Sequence, residues 1–333
     1  MDLTSGAIEE HLRELNQRAQ EADGLAGPDK EKALSEVAAL RAAMRSMLIR
    51  GLESDRTDVR RAAIFGLSKI CGPADIPLLL EACHDPDESV RAWAVAALGS
   101  LRDPSTARAL VETLEDPSLF VHYHAVLALR KLPSDAVLPP LAEALSHPEA
   151  MVRQRAAKLL GMLQDRSAVD SLIRASCDEE AGVRYEVVEA LGHIGDGRAL
   201  RVLLAALYDE NREVRSAAVR GLKRVGSPAA IRPLVYLALT DRDLRAAALD
   251  SLRELCGPQA LFPVYHALAQ QEVAADQVAA AIASQAGYEQ GELSLWGQEP
   301  FSSMSTAGEA GNPDLNPVPV HWGGQDRWHG QSE

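Results

Sequence analysis

The chain has 333 residues, of which 47% are hydrophobic but only 4% aromatic, so Ala and Leu must pack any core. A formal net charge of -14 argues against a general affinity for nucleic acid or anionic membrane surfaces, both of which draw on basic patches. No apolar run reaches the roughly 18 residues of a membrane span, and the acidic, amphipathic N-terminus is unlike a signal peptide, so the chain reads as cytoplasmic.

Residues 1–53 contain two helical stretches, 5–22 and 31–53, predicted as N-terminal capping helices. A repeat then takes over, because a Val-Arg pair recurs at 59/60, 90/91, 152/153, 183/184 and 214/215, a spacing of 31 residues or twice that. The skipped place is held by Val121-His122, and Leu244-Arg245 follows the last pair after 30 residues.

Four residues after each of the first six of these sites stand Ala63, Ala94, Ala125, Ala156, Val187 and Ala218, and eight after it Leu67, Leu98, Leu129, Leu160, Leu191 and Leu222. These offsets mark one apolar helical face. Breaks such as GSLRDPS and GHIGDGR end the first helix, and a second apolar run follows, so each unit is a helix, a tight turn and a helix.

The repeats occupy 54–271 and are followed by a predicted closing helix at 272–288. Residues 289–333 are rich in Gly, Pro, Ser and Asn with no apolar period, and are predicted to be a disordered acidic tail. Trp296, Trp322 and Trp328 lie in that tail and are candidate docking residues.

With DPDESVRAWAVAALGSLRDPSTARALVETLED as the clearest copy, the repeats resemble the HEAT-like repeat proteins, specifically the short-repeat subgroup named after phycobilisome (PBS) lyases. The resemblance implies an all-α fold, a right-handed α-solenoid of about seven helix-turn-helix repeats. It also implies a non-enzymatic scaffold, adaptor or assembly factor that binds a protein partner along its concave face. The alternative it carries is a bilin lyase or chromophore-handling chaperone subunit, and only there would a cofactor, the bilin, be expected. Deoxyhypusine hydroxylase has related repeats, but the paired His-Glu dipeptides of its di-iron site are absent from this sequence.

Two histidines on one helix could suggest a metal or acid/base site. His122 and His124, however, are two apart, so they project about 200° from each other and cannot chelate one ion. His122 sits in the arginine column, where each arginine is expected to bond the aspartate six residues earlier or its equivalent in an adjacent unit. Arginine should then be tolerated at 122, opposite Asp116. His124 shares a column with Ala62, Trp93, Arg155, Glu186 and Ala217 and reads as a solvated surface position, with Arg155 likewise exposed on the convex side. The four cysteines are scattered without CxxC pairing and read as reduced, mostly buried thiols. With no GxSxG, GxxxxGK[ST] or strand-borne GxGxxG, no catalytic or metal residue is assigned.

The second helices should line the concave surface. Their outward columns place Glu81, Glu112 and Glu143 at an acidic end, and Arg174, Arg201, Tyr208, Arg232, Tyr236, Phe262 and His266 at a basic, aromatic end. Arg and Tyr are enriched at binding hot spots, so the basic, aromatic end is the candidate partner-binding groove.

Overall fold

A computed structural model describes residues 5–270 and 275–288, and among these every regular element is helical. The α-helices are α1 Ser5–Asp23, α2 Gly27–Leu52, α3 Thr57–Ile70, α4 Ile76–Ala82, α5 Glu88–Leu101, α6 Ala107–Glu112, α7 Leu119–Leu129, α8 Ser134–Ala144 and α9 Ala150–Leu163. They continue as α10 Val169–Ala175, α11 Ala181–Ile194, α12 Leu200–Ala206, α13 Arg212–Val225, α14 Ile231–Thr240, α15 Arg245–Cys256, α16 Leu261–Gln270 and α17 Ala275–Ala286. The tail with Trp296, Trp322 and Trp328 lies outside the described residues.

The apolar register explains why these segments pair. All six alanine or valine positions of the first helices, and all six leucines four residues later, are fully buried. Each first helix begins on a side-chain cap where one is supplied: Asp87 accepts from the N–H groups of Ser89 and Val90, and Asn211 from those of Glu213 and Val214. The tight turn is built the same way in most repeats. A left-handed residue ends the first helix, Gly195 and Gly226 in two repeats but Arg102 and Gln164 in two others. A 3-10 turn follows, opened by Asp103, Asp165, Asp196 or Ser227.

The chain divides after Leu159 into two compact units. In the first, α3, α5 and α7 stack side by side as one layer, with α4 against α5 and α6 against both α7 and α8. In the second, α11, α13 and α15 form the equivalent layer, while α10, α12, α14 and α16 supply the other and α17 packs on α14.

Small residues set the spacing of the first-helix layer. A Cβ built on Gly192 would lie 2.7 Å from the Cα of Gly221, and one on Gly99 would meet the backbone of Ala128 at 2.6 Å. Helix propensity favours Gly192→Ala by about 1 kcal/mol, whereas overpacking costs about 1–3 kcal/mol, the upper end applying because two backbones must part. The variant is therefore expected to lose stability by roughly 1–2 kcal/mol net in urea denaturation. An unchanged midpoint would show that α11 and α13 separate freely.

Candidate protein-binding surface

A ladder of arginine–aspartate rungs joins the first helix of one repeat to the loop that opens the next. Arg60 meets Asp85 at 2.8 and 3.2 Å, Arg91 meets Asp116 at 2.6 and 2.9 Å, and Arg184 meets Asp209 at 2.8 and 3.0 Å. Of the two partners expected from sequence, the aspartate of the following unit is therefore the one used. The residue six positions earlier contributes only its carbonyl, as Asp85 does to Arg91, Asp178 to Arg184 and Asp209 to Arg215. The same aspartate side chains also accept the N–H two residues on, at 2.8 Å for both Asp85 and Asp116. One carboxylate thus closes a loop and receives the neighbour's guanidinium. Burial pushes the Asp116 carboxyl up, but the Arg91 hydrogen bonds and the Ser118 N–H outweigh it and leave the group below the usual range.

One rung differs at both ends. His122 replaces the arginine, and the residue 25 further on, where its aspartate should stand, is His147. His147 keeps the loop-closing role, since its Nδ1 accepts the Glu149 N–H at 3.1 Å and leaves Nε2–H to donate to Glu115 at 3.0 Å. An imidazole held this way offers nothing to a guanidinium. His122 is 8% exposed and neither ring nitrogen has a hydrogen-bond partner; the Asp116 carbonyl is near but outside bonding geometry. Arg155 comes in from α9 instead, donating to the Leu114 carbonyl at 2.5 Å. The exposed position expected for Arg155 is thus corrected: its side chain is half-buried, and burial lowers its pKa against the pull of Asp116 and Glu149. His124 is corrected as well. It is half-buried among rings, 4.7 Å from Phe120 and 5.9 Å from Trp93, because α7 carries apolar residues on its outward side.

On the second-helix side of the first unit, Glu81, Glu112 and Glu143 are all exposed. Glu143 is bound by Arg108 at 2.9 Å, and this guanidinium holds its carboxyl below the usual range. In the second unit, Tyr208 is 40%, Tyr236 42% and Phe262 71% exposed. Tyr208, Arg232 and Tyr236 come together: burial pushes the Tyr208 phenol up, Tyr236 adds to this, and Arg232 opposes it. Arg232 itself is half-exposed and tied to Asp276 of α17 at 2.6 Å, a pairing the column reading did not foresee because α17 lies outside the repeat period. Arg174 is exposed and donates to Ser171 at 2.9 Å, Arg201 is exposed, and His266 is exposed on α16. Tyr265, 52% exposed beside Phe262, was missed because it falls one position off the column followed.

Three of the four thiols, Cys71, Cys83 and Cys256, are unsuited to nucleophilic work. Burial pushes Cys83 up to about 12 and Cys256 up to about 11, and raises Cys71 too. Burial was expected for most of the four, yet only Cys83 is buried, with Cys71 and Cys256 intermediate and Cys177 exposed.

Helical hairpins stacked in two layers, with period-locked rungs between them, define a repeat protein of the α-solenoid class. The chain belongs to the HEAT-repeat family, whose repeats match at residues 29–97, 76–150, 138–212 and 200–284. No curated protein matches it in sequence. Among solved structures, importin beta is similar with a TM-score of 0.51 at 15% identity, over 78% of this chain and 44% of that one. The Escherichia coli protein YibA gives 0.46 at 17% identity over 76% of this chain and 97% of its own. The CpcE and CpcF complex of phycocyanin lyase from Nostoc gives 0.37 at 25% identity, over 63% and 94%. These likenesses concern the fold; no described helix is long and apolar enough to cross a membrane.

Proposed function

We propose that the protein is a non-enzymatic scaffold or assembly factor that binds a partner protein on the second-helix face of its later repeats. The observation that carries this reading is where the rings go. Among the described residues no Phe, Tyr or Trp belongs to the buried core, although such side chains are the largest apolar material available. Tyr208, Tyr236, Phe262 and Tyr265 instead stand exposed on or beside successive second helices, accompanied by Arg174 and Arg201. Rings and guanidinium groups are the commonest anchors of protein interfaces.

The test is capture of partners from host extract on immobilised full-length protein, with mass-spectrometric identification, followed by affinity measurement on the purified partner. Tyr236→Ala and Phe262→Ala are each expected to weaken binding by about 1–2 kcal/mol, chiefly through faster dissociation. Arg201→Glu should act mainly on association rate and salt dependence. Unchanged affinity in all three variants, with the fold intact, would remove this face from consideration. The bilin-handling alternative makes a separate demand: a saturable shift in the visible spectrum when the protein is mixed with a free bilin, which the scaffold reading does not predict.

A further inference from the structure

We propose that the outward face of the first helices in the Met1–Leu159 unit is a second, independent docking surface, for an acidic protein segment carrying aromatic or aliphatic side chains. The surface is a chain of rings across three repeats. Phe65 meets Trp93 edge-on at 5.1 Å, Trp93 meets His124 at 5.9 Å, and His124 is flanked by Phe120 at 4.7 Å and Tyr123 at 5.5 Å.

Around the rings the apolar surface continues into solvent, with Leu119 79%, Tyr123 60%, Phe120 44% and Leu127 36% exposed. The cause is local to α7, whose eleven residues LFVHYHAVLAL include no Asp, Glu, Lys or Arg. A helix apolar on all sides is ordinarily buried all round, and this one is not. The positions equivalent to Leu127 on α11 and α13 hold Glu189 and Arg220, which pair with each other, so the repeat itself does not require an apolar outer face. Contiguous exposed apolar patches of this kind mark interaction sites.

The charge at the rim selects the occupant. Lys69 lies 5.0 Å from the Phe65 centroid and 5.6 Å from that of Trp93. Lys131, its equivalent two repeats on, acts on His124, where burial first and Lys131 second favour the neutral imidazole. Neither lysine forms an ion pair among the described residues, in a chain whose net charge is -14 and many of whose arginines are engaged. Cations left unpaired beside exposed rings fit carboxylates on a segment whose apolar side chains cover the rings. Nucleic acid would also stack on rings, but two lysines set in so acidic a chain are a poor match for a polyphosphate.

The probe is a phage-displayed library of random twelve-residue peptides, selected on the full-length protein and counter-selected on a Phe120→Ser/Tyr123→Ser variant. Both residues are exposed, and the variant's helical signal and unfolding midpoint are checked against the parent. Peptides retained only by the parent are expected to be enriched in Asp and Glu interleaved with Trp, Phe or Leu. A selected synthetic peptide should bind at least tenfold more weakly to the double variant and several-fold more weakly to Lys69→Glu/Lys131→Glu, while Tyr236→Ala leaves its affinity unchanged. That last arm keeps the result separate from the fate of the second-helix face. Failure to enrich any peptide over the variant, enrichment of basic peptides, or tighter binding of an oligothymidine than of the selected peptide would each overturn the proposal.

Discussion

Asp209→Ala is expected to be among the most damaging single substitutions in the second unit, lowering stability by about 3 kcal/mol. Asp209 is 3% exposed, receives both Nε and Nη2 of Arg184, and also accepts the Asn211 N–H at 2.8 Å. Its removal leaves the mostly buried Arg184 guanidinium, 11% exposed, without its bidentate partner and opens the loop that starts α13. Arg184 retains the Asp178 and Glu179 carbonyls and the exposed Glu210, which places the cost at the lower end of the 3–5 kcal/mol typical of a broken buried pair. Because repeats contact only their neighbours, the damage should be local. Hydrogen exchange should accelerate in α11 to α13 and stay unchanged in α1 to α5. Uniform acceleration would mean that the rungs do not act one by one, and a loss under 1 kcal/mol would show that Arg184 finds full compensation elsewhere.

The second large effect belongs to the altered rung and is a coupling rather than a single value. From the arginine column alone, His122→Arg restores the repeat and should be neutral or slightly stabilising. The structure reverses that expectation. Asp116 is already occupied by Arg91, and the seat that should hold the new arginine's acid is His147, with Arg155 close by. The single variant should therefore lose about 2 kcal/mol by burying an unpaired cation. His147→Asp alone should cost little, since an aspartate there can accept the Glu149 N–H as its sisters do. The double variant His122→Arg/His147→Asp should recover most of the loss, giving a coupling energy of about 2 kcal/mol in a double-mutant cycle. Additivity within about 0.5 kcal/mol would show that the two histidines are not a rung.

The same pair of variants has a pH signature. Burial, then Arg155, depress the His122 pKa below its ordinary value of about 6.5, and the nearby Asp116 only partly offsets them. The unfolded chain therefore binds a proton that the folded chain refuses, so stability rises with pH across this window. The His122 contribution is fully present above about pH 6.5 and is lost as pH falls toward the depressed value. Parent and double variant should differ most in acid sensitivity as pH falls below about 6.5, the ordinary histidine value, and a parallel decline would exclude His122 as its source.

The repeat period, the buried Ala and Leu columns and the helix-turn-helix unit were all legible along the chain, because each is a property of residues at fixed separation on a helix. Periodicity also located the second helices and their outward columns. What it could not reach was anything that joins one period to another. Arg91 could have bonded the aspartate before it or the one after it, and only the stacking of repeats brings Asp116 to its guanidinium. His147 stood in an aspartate column throughout, yet its meaning appeared only when the rung partner of His122 was known. Arg232 looked like a free cation until α17, which belongs to no repeat, placed Asp276 beside it. His124 and Trp93 looked like variable surface positions and became parts of one ring cluster once α5 and α7 lay side by side. Local spacing determines which residues are buried within a helix pair. Which charge finds which partner, and which exposed rings meet, depends on side chains from different repeats arriving within a few ångströms of each other, and that is decided by packing alone.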